Sequence, residues 1–268
     1  MQQKFLLYID ILGFSEMVTD ADRIRSLYAV IDSLNAHKHD CFKTIVFSDT
    51  ILVYSTLGPT DNENRNYLVW YAIEFAEDLH HRLVGTGVYF RAVLTFGEFD
   101  HYNLPNTECF FGKALVDAYY SEKKLPAIGL FIDDICQQHN KYFRTANFIP
   151  NRRFVYLTRS LERLNETSQG NLPVDPLYID SSQDFPHILW DLRFLRDMSV
   201  QMRDHPAPSV RAKYLATWDL YHKRYTDIID ALRPENFEPD TICPSGDWDM
   251  YRVVFEKSLS ESPLHIAG

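Results

Sequence analysis

Apolar residues run almost unbroken from Phe5 to Ile9 and stop at Asp10, giving residues 4–11 the length and composition of a strand. Helical spacing follows over residues 15–37, where Met17, Ile24, Leu27, Ile31 and Leu34 recur at helical intervals. Residues 42–48 and 50–56 read as two strands meeting at Ser48-Asp49, a polar tight turn. After a loop at residues 58–62, residues 65–83 form a helix striped by Leu68, Ala72, Phe75, Leu79 and Leu83, ended by Gly85 and Gly87. Residues 88–96 are a strand, and residues 101–107, with Pro105, read as a polar loop. Gly112 opens a helix reaching to about Lys124, stopped by Pro126. Residues 128–132 are a strand, Asp133 caps a short helix, and residues 154–157 are the last clear strand.

The order is β-α-β-β-α-β-α-β-α-β with an early two-residue hairpin. Two crossover helices around a hairpin describe a split βαβ, ferredoxin-like sheet, so the expected class is α+β. Beyond it, residues 160–183 are polar and carry Gly170 and Pro173, which predicts a loop region. Residues 185–203 and 208–233 predict two helices, striped by Leu192, Leu195 and Met198 and by Tyr214, Trp218, Tyr221 and Tyr225. These stripes suit core packing better than a ligand pocket. The tail after Arg233 is Pro-rich and reads as irregular. The expected division is a catalytic-type domain over residues 1–158 and a helical extension over 159–268 packed on it.

A chain of 268 residues at 46% hydrophobic content can bury a full core. A net charge of −10 argues against sequence-independent nucleic-acid binding, which needs a basic footprint, but leaves nucleotide binding through a local metal open. The four cysteines, Cys41, Cys109, Cys136 and Cys243, form no CxxC pair and read as reduced thiols. No run approaches the ~20 apolar residues of a membrane span. No cleavable leader precedes the first strand, so a cytoplasmic protein is expected.

Asp10 and Asp49 each end a strand-like apolar run. An ionised carboxylate in such a setting is costly unless paired or metal-bound, and two on neighbouring strands repel unless a cation lies between them. The pair therefore points to a hard divalent metal and, with it, a phosphate chain. Other acidic and histidine pairs read more plainly. His80 and His81 face apart on their helix, and Asp133-Asp134 suits a helix cap.

The motifs around this pair resemble those of class III nucleotide cyclases. Asp10-Ile11-Leu12-Gly13-Phe14 is similar to that family's D-I-x-G-F opening, and Ser48-Asp49 stands where the family has Gly-Asp in a hairpin. Arg91 to Gly97 is similar to its R-x-G-x-x-x-G strand, with Val93 for the middle glycine. Phe111-Gly112-Lys113-Ala114-Leu115 is similar to its Y-F-G-x-x-V segment, and Ala118 to its alanine. The resemblance covers residues 4–135 and implies attack of a ribose 3′-hydroxyl on the α-phosphorus with loss of pyrophosphate. It implies two Mg²⁺ or Mn²⁺ ions held by Asp10, Asp49 and the Ile11 carbonyl. The amides from Leu12 through Gly13 and Phe14 to Ser15 would cradle phosphate at a helix start. Family sites form between two chains, so a homodimer with composite sites is expected.

Departures from the purine cyclases concern the base. The adenine-reading lysine position is Ile45 and the base-reading aspartate position is Cys109. Ile45, Phe47 and Asp49 alternate onto one strand face, so Phe47 would narrow the base pocket. The pattern looks like the bacterial pyrimidine cyclases of Pycsar anti-phage systems. It implies UTP, with CTP next, and a separate effector that senses the cyclic nucleotide. By spacing, the family's transition-state Asn and Arg fall at Val116 and Tyr120; Arg91, Lys113, Lys123 and Arg153 are candidate replacements. Three plainer alternatives stay open: an unusual purine cyclase, a non-catalytic nucleotide-binding regulator, and an Arg91 that merely pairs with Glu98 or Asp100.

Overall fold

The computed structural model describes residues 1–180 and 187–264. A strand covered on both faces needs apolar side chains at both parities, and β1 (Gln2–Leu12) meets that need with Phe5 to Ile9 all buried. The chain continues through α1 (Phe14–Met17), α2 (Ala21–Asp32), β2 (Phe42–Phe47), β3 (Thr50–Ser55), α3 (Asn62–Leu83), β4 (Tyr89–Leu104), β5 (Thr107–Phe111), α4 (Lys113–Glu122), β6 (Gly129–Ile132), α5 (Asp134–His139), β7 (Thr145–Ile149) and β8 (Arg152–Val155). The helices α6 (Arg159–Ser168), α7 (Pro176–Asp180), α8 (Ile188–Asp204), α9 (Pro208–Arg224), α10 (Thr226–Leu232) and α11 (Trp248–Glu261) complete it. Two compact units result: residues 1–80 with 88–157, and residues 81–87 with 158–268.

The first unit is a mixed sheet in the order β2-β3-β1-β4-β6-β8-β7, with β5 paired to β4. β1 is antiparallel to both β3 and β4, so each crossover skips one strand and the expected split βαβ core is present. β4 and β6 run parallel, and β8 and β7 extend the sheet antiparallel. Asp133 caps α5 as expected, its Oδ1 accepting from the Cys136 amide at 2.7 Å.

Several elements differ from expectation. The single helix over 15–37 is two helices, because Asp20 accepts the amides of Asp22 and Arg23 and so restarts the helix at Ala21. The expected loop at 101–107 is a hairpin, with β4 running to Leu104 and β5 returning from Thr107. The Tyr54 hydroxyl is hydrogen-bonded with His101 Nδ1 and His101 Nε2 lies 2.7 Å from Glu108, which ties the hairpin to the sheet. β7 carries no clear apolar alternation and escaped the sequence pattern.

In the second unit, the expected loop over 160–183 contains α6 and α7; residues 181–183 lie outside the described residues, as do 185 and 186 of the helix expected over 185–203. The helix over 208–233 breaks at Tyr225, whose hydroxyl donates to Glu162 at 2.8 Å while Arg224 Nε donates to Glu162 at 2.7 Å. The supposedly irregular tail contains α11. The stripes Leu192/Leu195/Met198 and Tyr214/Trp218/Tyr221/Tyr225 are buried core. Fully buried Asp191 accepts the Leu161 amide at 2.9 Å, with His81 Nε2 3.7 Å away and the His81 and His187 rings stacked.

Two outcomes follow from this packing. At Gly112, φ is 156° and an added Cβ would meet Glu98 O at 2.2 Å and Phe99 Cα at 2.6 Å. Gly112→Ala should therefore cost about 3 kcal/mol through strain and overpacking, seen as a Tm lowered by about 10 °C. Desolvation raises the Asp191 carboxyl to about 7. The unfolded chain releases that proton near pH 4 and the native chain near pH 7, so stability from this group is fully present below pH ~4 and lost as pH rises through 7. Urea unfolding from pH 4 to 8 should show the wild type losing up to about 4 kcal/mol relative to Asp191→Asn across that window.

Candidate active site

Register determines what surrounds Asp10. On one side of β1 it pairs with Thr50, and on the other with Arg91. The Ile11 amide donates to the Asp49 carbonyl at 2.8 Å, which fastens the β2–β3 turn to the end of β1. Ser48 in that turn has φ 56°, a conformation glycine adopts more easily, and the Tyr28 hydroxyl of α2 donates to its carbonyl at 3.1 Å. The two expected carboxylates are thus brought to neighbouring strand ends.

A third carboxylate joins them. Glu122, at the end of α4, is only 3% exposed and forms a close ion pair with Arg91. Arg91 Nη2 also lies 3.5 Å from Asp10 Oδ2, and Nη1 donates to the Leu125 carbonyl at 2.9 Å. The plain alternative for Arg91, pairing with Glu98 or Asp100, is therefore not what the structure holds. Burial raises the Asp10 pKa, Arg91 opposes that shift, and Asp49 adds to it; a Glu122 hydrogen bond also reaches Asp10. Tyr8, two residues before Asp10 on the same strand face, is raised first by burial and then by Asp10, Glu122 and Asp49, while the Thr50 hydroxyl 3.4 Å away opposes the shift. Three carboxyl groups are thus gathered around one guanidinium.

The missed residue had a signal. Ala114, Ala118 and Glu122 follow one another at four-residue spacing on the buried face of α4, so an acidic side chain continues an alanine stripe.

The remaining candidates are distributed. Gly13 has φ 77° and open space around it, while Leu12 is half-buried and the Ile11 and Phe14 side chains are buried. The expected cradle therefore consists of backbone alone, and α1 behind it is a single turn. Ile45 is half-buried, but Phe47 is 73% exposed, so packing within this chain does not account for it. Lys113 pairs with Asp117 on its own helix, about 13 Å along α4 from Glu122 at 1.5 Å per residue. Lys123 bonds Tyr119, and Arg153 pairs with Ile132 of β6, about 10 Å along the strands from the Arg91 level. Cys109 faces Tyr102, about 36 Å along β4 from Arg91. None of Lys113, Arg153 and Cys109 meets Asp10 and Asp49 within one chain. Val116 and Tyr120 are exposed and project away from their own core.

The donor set at Asp10 and Asp49 is oxygen only, which fits a hard divalent cation. Among the described residues, no group of three or more histidine, cysteine or acidic side chains has ready metal-ligating geometry, so water and phosphate oxygens would have to complete the shell.

No helix among the described residues is long and apolar enough to cross a membrane. No protein-family model and no curated protein matches the chain. Among solved structures it is similar to the guanylyl cyclase domain of the RhoGC fusion protein from Blastocladiella emersonii, at 17% identity over 57% of this chain and 94% of that one, TM-score 0.46. It is also similar to the adenylyl cyclase CyaB from P. aeruginosa, at 12% identity over 58% and 94%, TM-score 0.44. A class III adenylyl cyclase-like ATP-binding protein from Pseudomonas aeruginosa matches at 17% identity over 52% of this chain and 35% of that one, TM-score 0.38.

Proposed function

We propose that this chain is a class III nucleotidyl cyclase acting on a pyrimidine nucleoside triphosphate, UTP before CTP, to give the 3′,5′-cyclic monophosphate and pyrophosphate. The observation that carries this is the meeting of Asp10 and Asp49 at adjacent strand ends, an all-oxygen donor pair. Asp10, Asp49 and the Ile11 carbonyl would hold two Mg²⁺ or Mn²⁺ ions. When bound, these supply a lowered pKa for the ribose 3′-hydroxyl and screening of the triphosphate. The chain itself contributes the backbone approach at Leu12, Gly13 and Phe14 to phosphate oxygens. Ile45 and the exposed Phe47 ring present an apolar, bulky wall on the Asp49 side, which favours a single-ring base. The product would serve as an anti-phage second messenger read by a separate effector protein.

Lys113 and Cys109 can act at an Asp10/Asp49 pair only from a second copy, which makes the assembly a two-fold homodimer with two composite sites. The exposed apolar side chains of the β4–β5 hairpin (Tyr102, Leu104, Phe110, Phe111) and of α4 (Val116, Tyr120) suit a surface that is covered in use.

A second reading draws on Val116 and Tyr120, neither of which can stabilise transition-state charge as an arginine would. It is a non-catalytic domain that binds nucleotide and regulates a partner.

Incubating the protein with all four triphosphates and Mn²⁺ should give a cyclic pyrimidine nucleotide by mass spectrometry. Asp49→Asn should cut turnover at least ~100-fold while leaving the circular dichroism spectrum intact. Efficient cyclic AMP synthesis would replace the pyrimidine assignment with a purine one, and no product from the wild type would favour the regulator. Sedimentation at micromolar concentration should give a species of about 63 kDa, twice the 31.4 kDa chain mass; a strict monomer would remove the composite site.

A further inference from the structure

Arg91 is shared unevenly between its two acidic neighbours. Its guanidinium is in direct contact with Glu122 and stands 3.5 Å from Asp10, while the Leu125 carbonyl anchors its other nitrogen. Glu122 is the more enclosed partner, with its side chain 3% exposed against 20% for Asp10. Coulomb attraction grows as distance and local dielectric fall, so the guanidinium charge is directed chiefly toward Glu122. Without the Glu122 charge, Asp10 still stands 3.5 Å from Arg91. A planar guanidinium tends to engage a carboxylate through both oxygens, and a metal would then have to displace it.

We propose that Glu122 is a positioning residue that holds the Arg91 guanidinium to a single contact with Asp10 and so keeps the rest of that carboxylate available to a divalent cation. Arg91 in this arrangement braces one Asp10 oxygen, as partners of metal-binding carboxylates do, and does not itself meet the substrate. Glu122 sits at the end of α4, so the position of that helix is coupled directly to the availability of Asp10. The inference rests on the assignment of Asp10 and Asp49 as metal carboxylates.

The test is Mn²⁺ binding to the full chain without nucleotide, followed by electron paramagnetic resonance of the free ion up to millimolar concentration. Glu122→Gln should weaken binding about tenfold, the scale expected when a ligand's partner is altered. The double variant Arg91→Gln/Glu122→Gln should recover wild-type affinity to within about threefold, because the competing guanidinium is gone. A role for Glu122 confined to holding α4 in place would leave the double variant no better than the single one, and that result overturns the proposal. Equal binding by wild type and Glu122→Gln also overturns it, while leaving the metal assignment standing. A wild type that binds no Mn²⁺ overturns both. If Glu122→Gln does not fold, Glu122→Asp keeps the charge and should bind Mn²⁺ as the wild type does; a tenfold loss there counts against the proposal.

Discussion

Because β1 is hydrogen-bonded along both edges, the neighbours of Asp10 are chosen by register and not by side-chain flexibility. Thr50 and the Asp49 turn arrive from β3, and Arg91 arrives from β4. A one-residue slip on either edge would carry these side chains to the other face of the sheet. The turn bond from the Ile11 amide to the Asp49 carbonyl fixes one of these registers directly. The core of the first unit and the chemistry at its edge are therefore two effects of one pairing pattern.

Local preference and global arrangement disagree in one small region. Ser48 adopts a backbone conformation that suits glycine, Asp49 adds to the cost of charging Asp10, and Glu122 is an acid on a buried helix face. Elsewhere the chain obeys its own signals, with apolar stripes buried and Asp20 and Asp133 capping the helices that follow them. Such disagreements gather where a fold gives up stability for function. Glycines illustrate the contrast, because Gly97 and Gly112 simply let α4 approach β4, with an added Cβ at Gly97 meeting Ala114 at 3.3 Å.

Asp10 and Asp49 are legible in the sequence because each interrupts an apolar run, a local event. Glu122 shows only as an acid continuing the Ala114 and Ala118 stripe, and its meaning depends on Arg91, thirty-one positions earlier. The β4–β5 hairpin hides behind polar residues and Pro105, and only its pairing reveals it. α6 buries just Leu161 and Leu164 among its apolar side chains, and α11 leaves Met250, Val253 and Val254 exposed, so neither shows a clean stripe. The split βαβ core was readable because its strands and crossover helices each satisfy their own periodicity before any tertiary contact forms.

From Arg91 to Glu98, where α4 begins its return, β4 spans about 23 Å. That length separates Lys113 from the acidic end of its own chain. If a working site needs both ends, as in the dimer proposed above, output at low abundance scales with the square of the number of copies present. Halving the amount of protein would then cut signal fourfold. A long strand thus becomes a concentration threshold: a cell could keep the chain at a low level almost silently and obtain a steep rise from a modest increase in its synthesis.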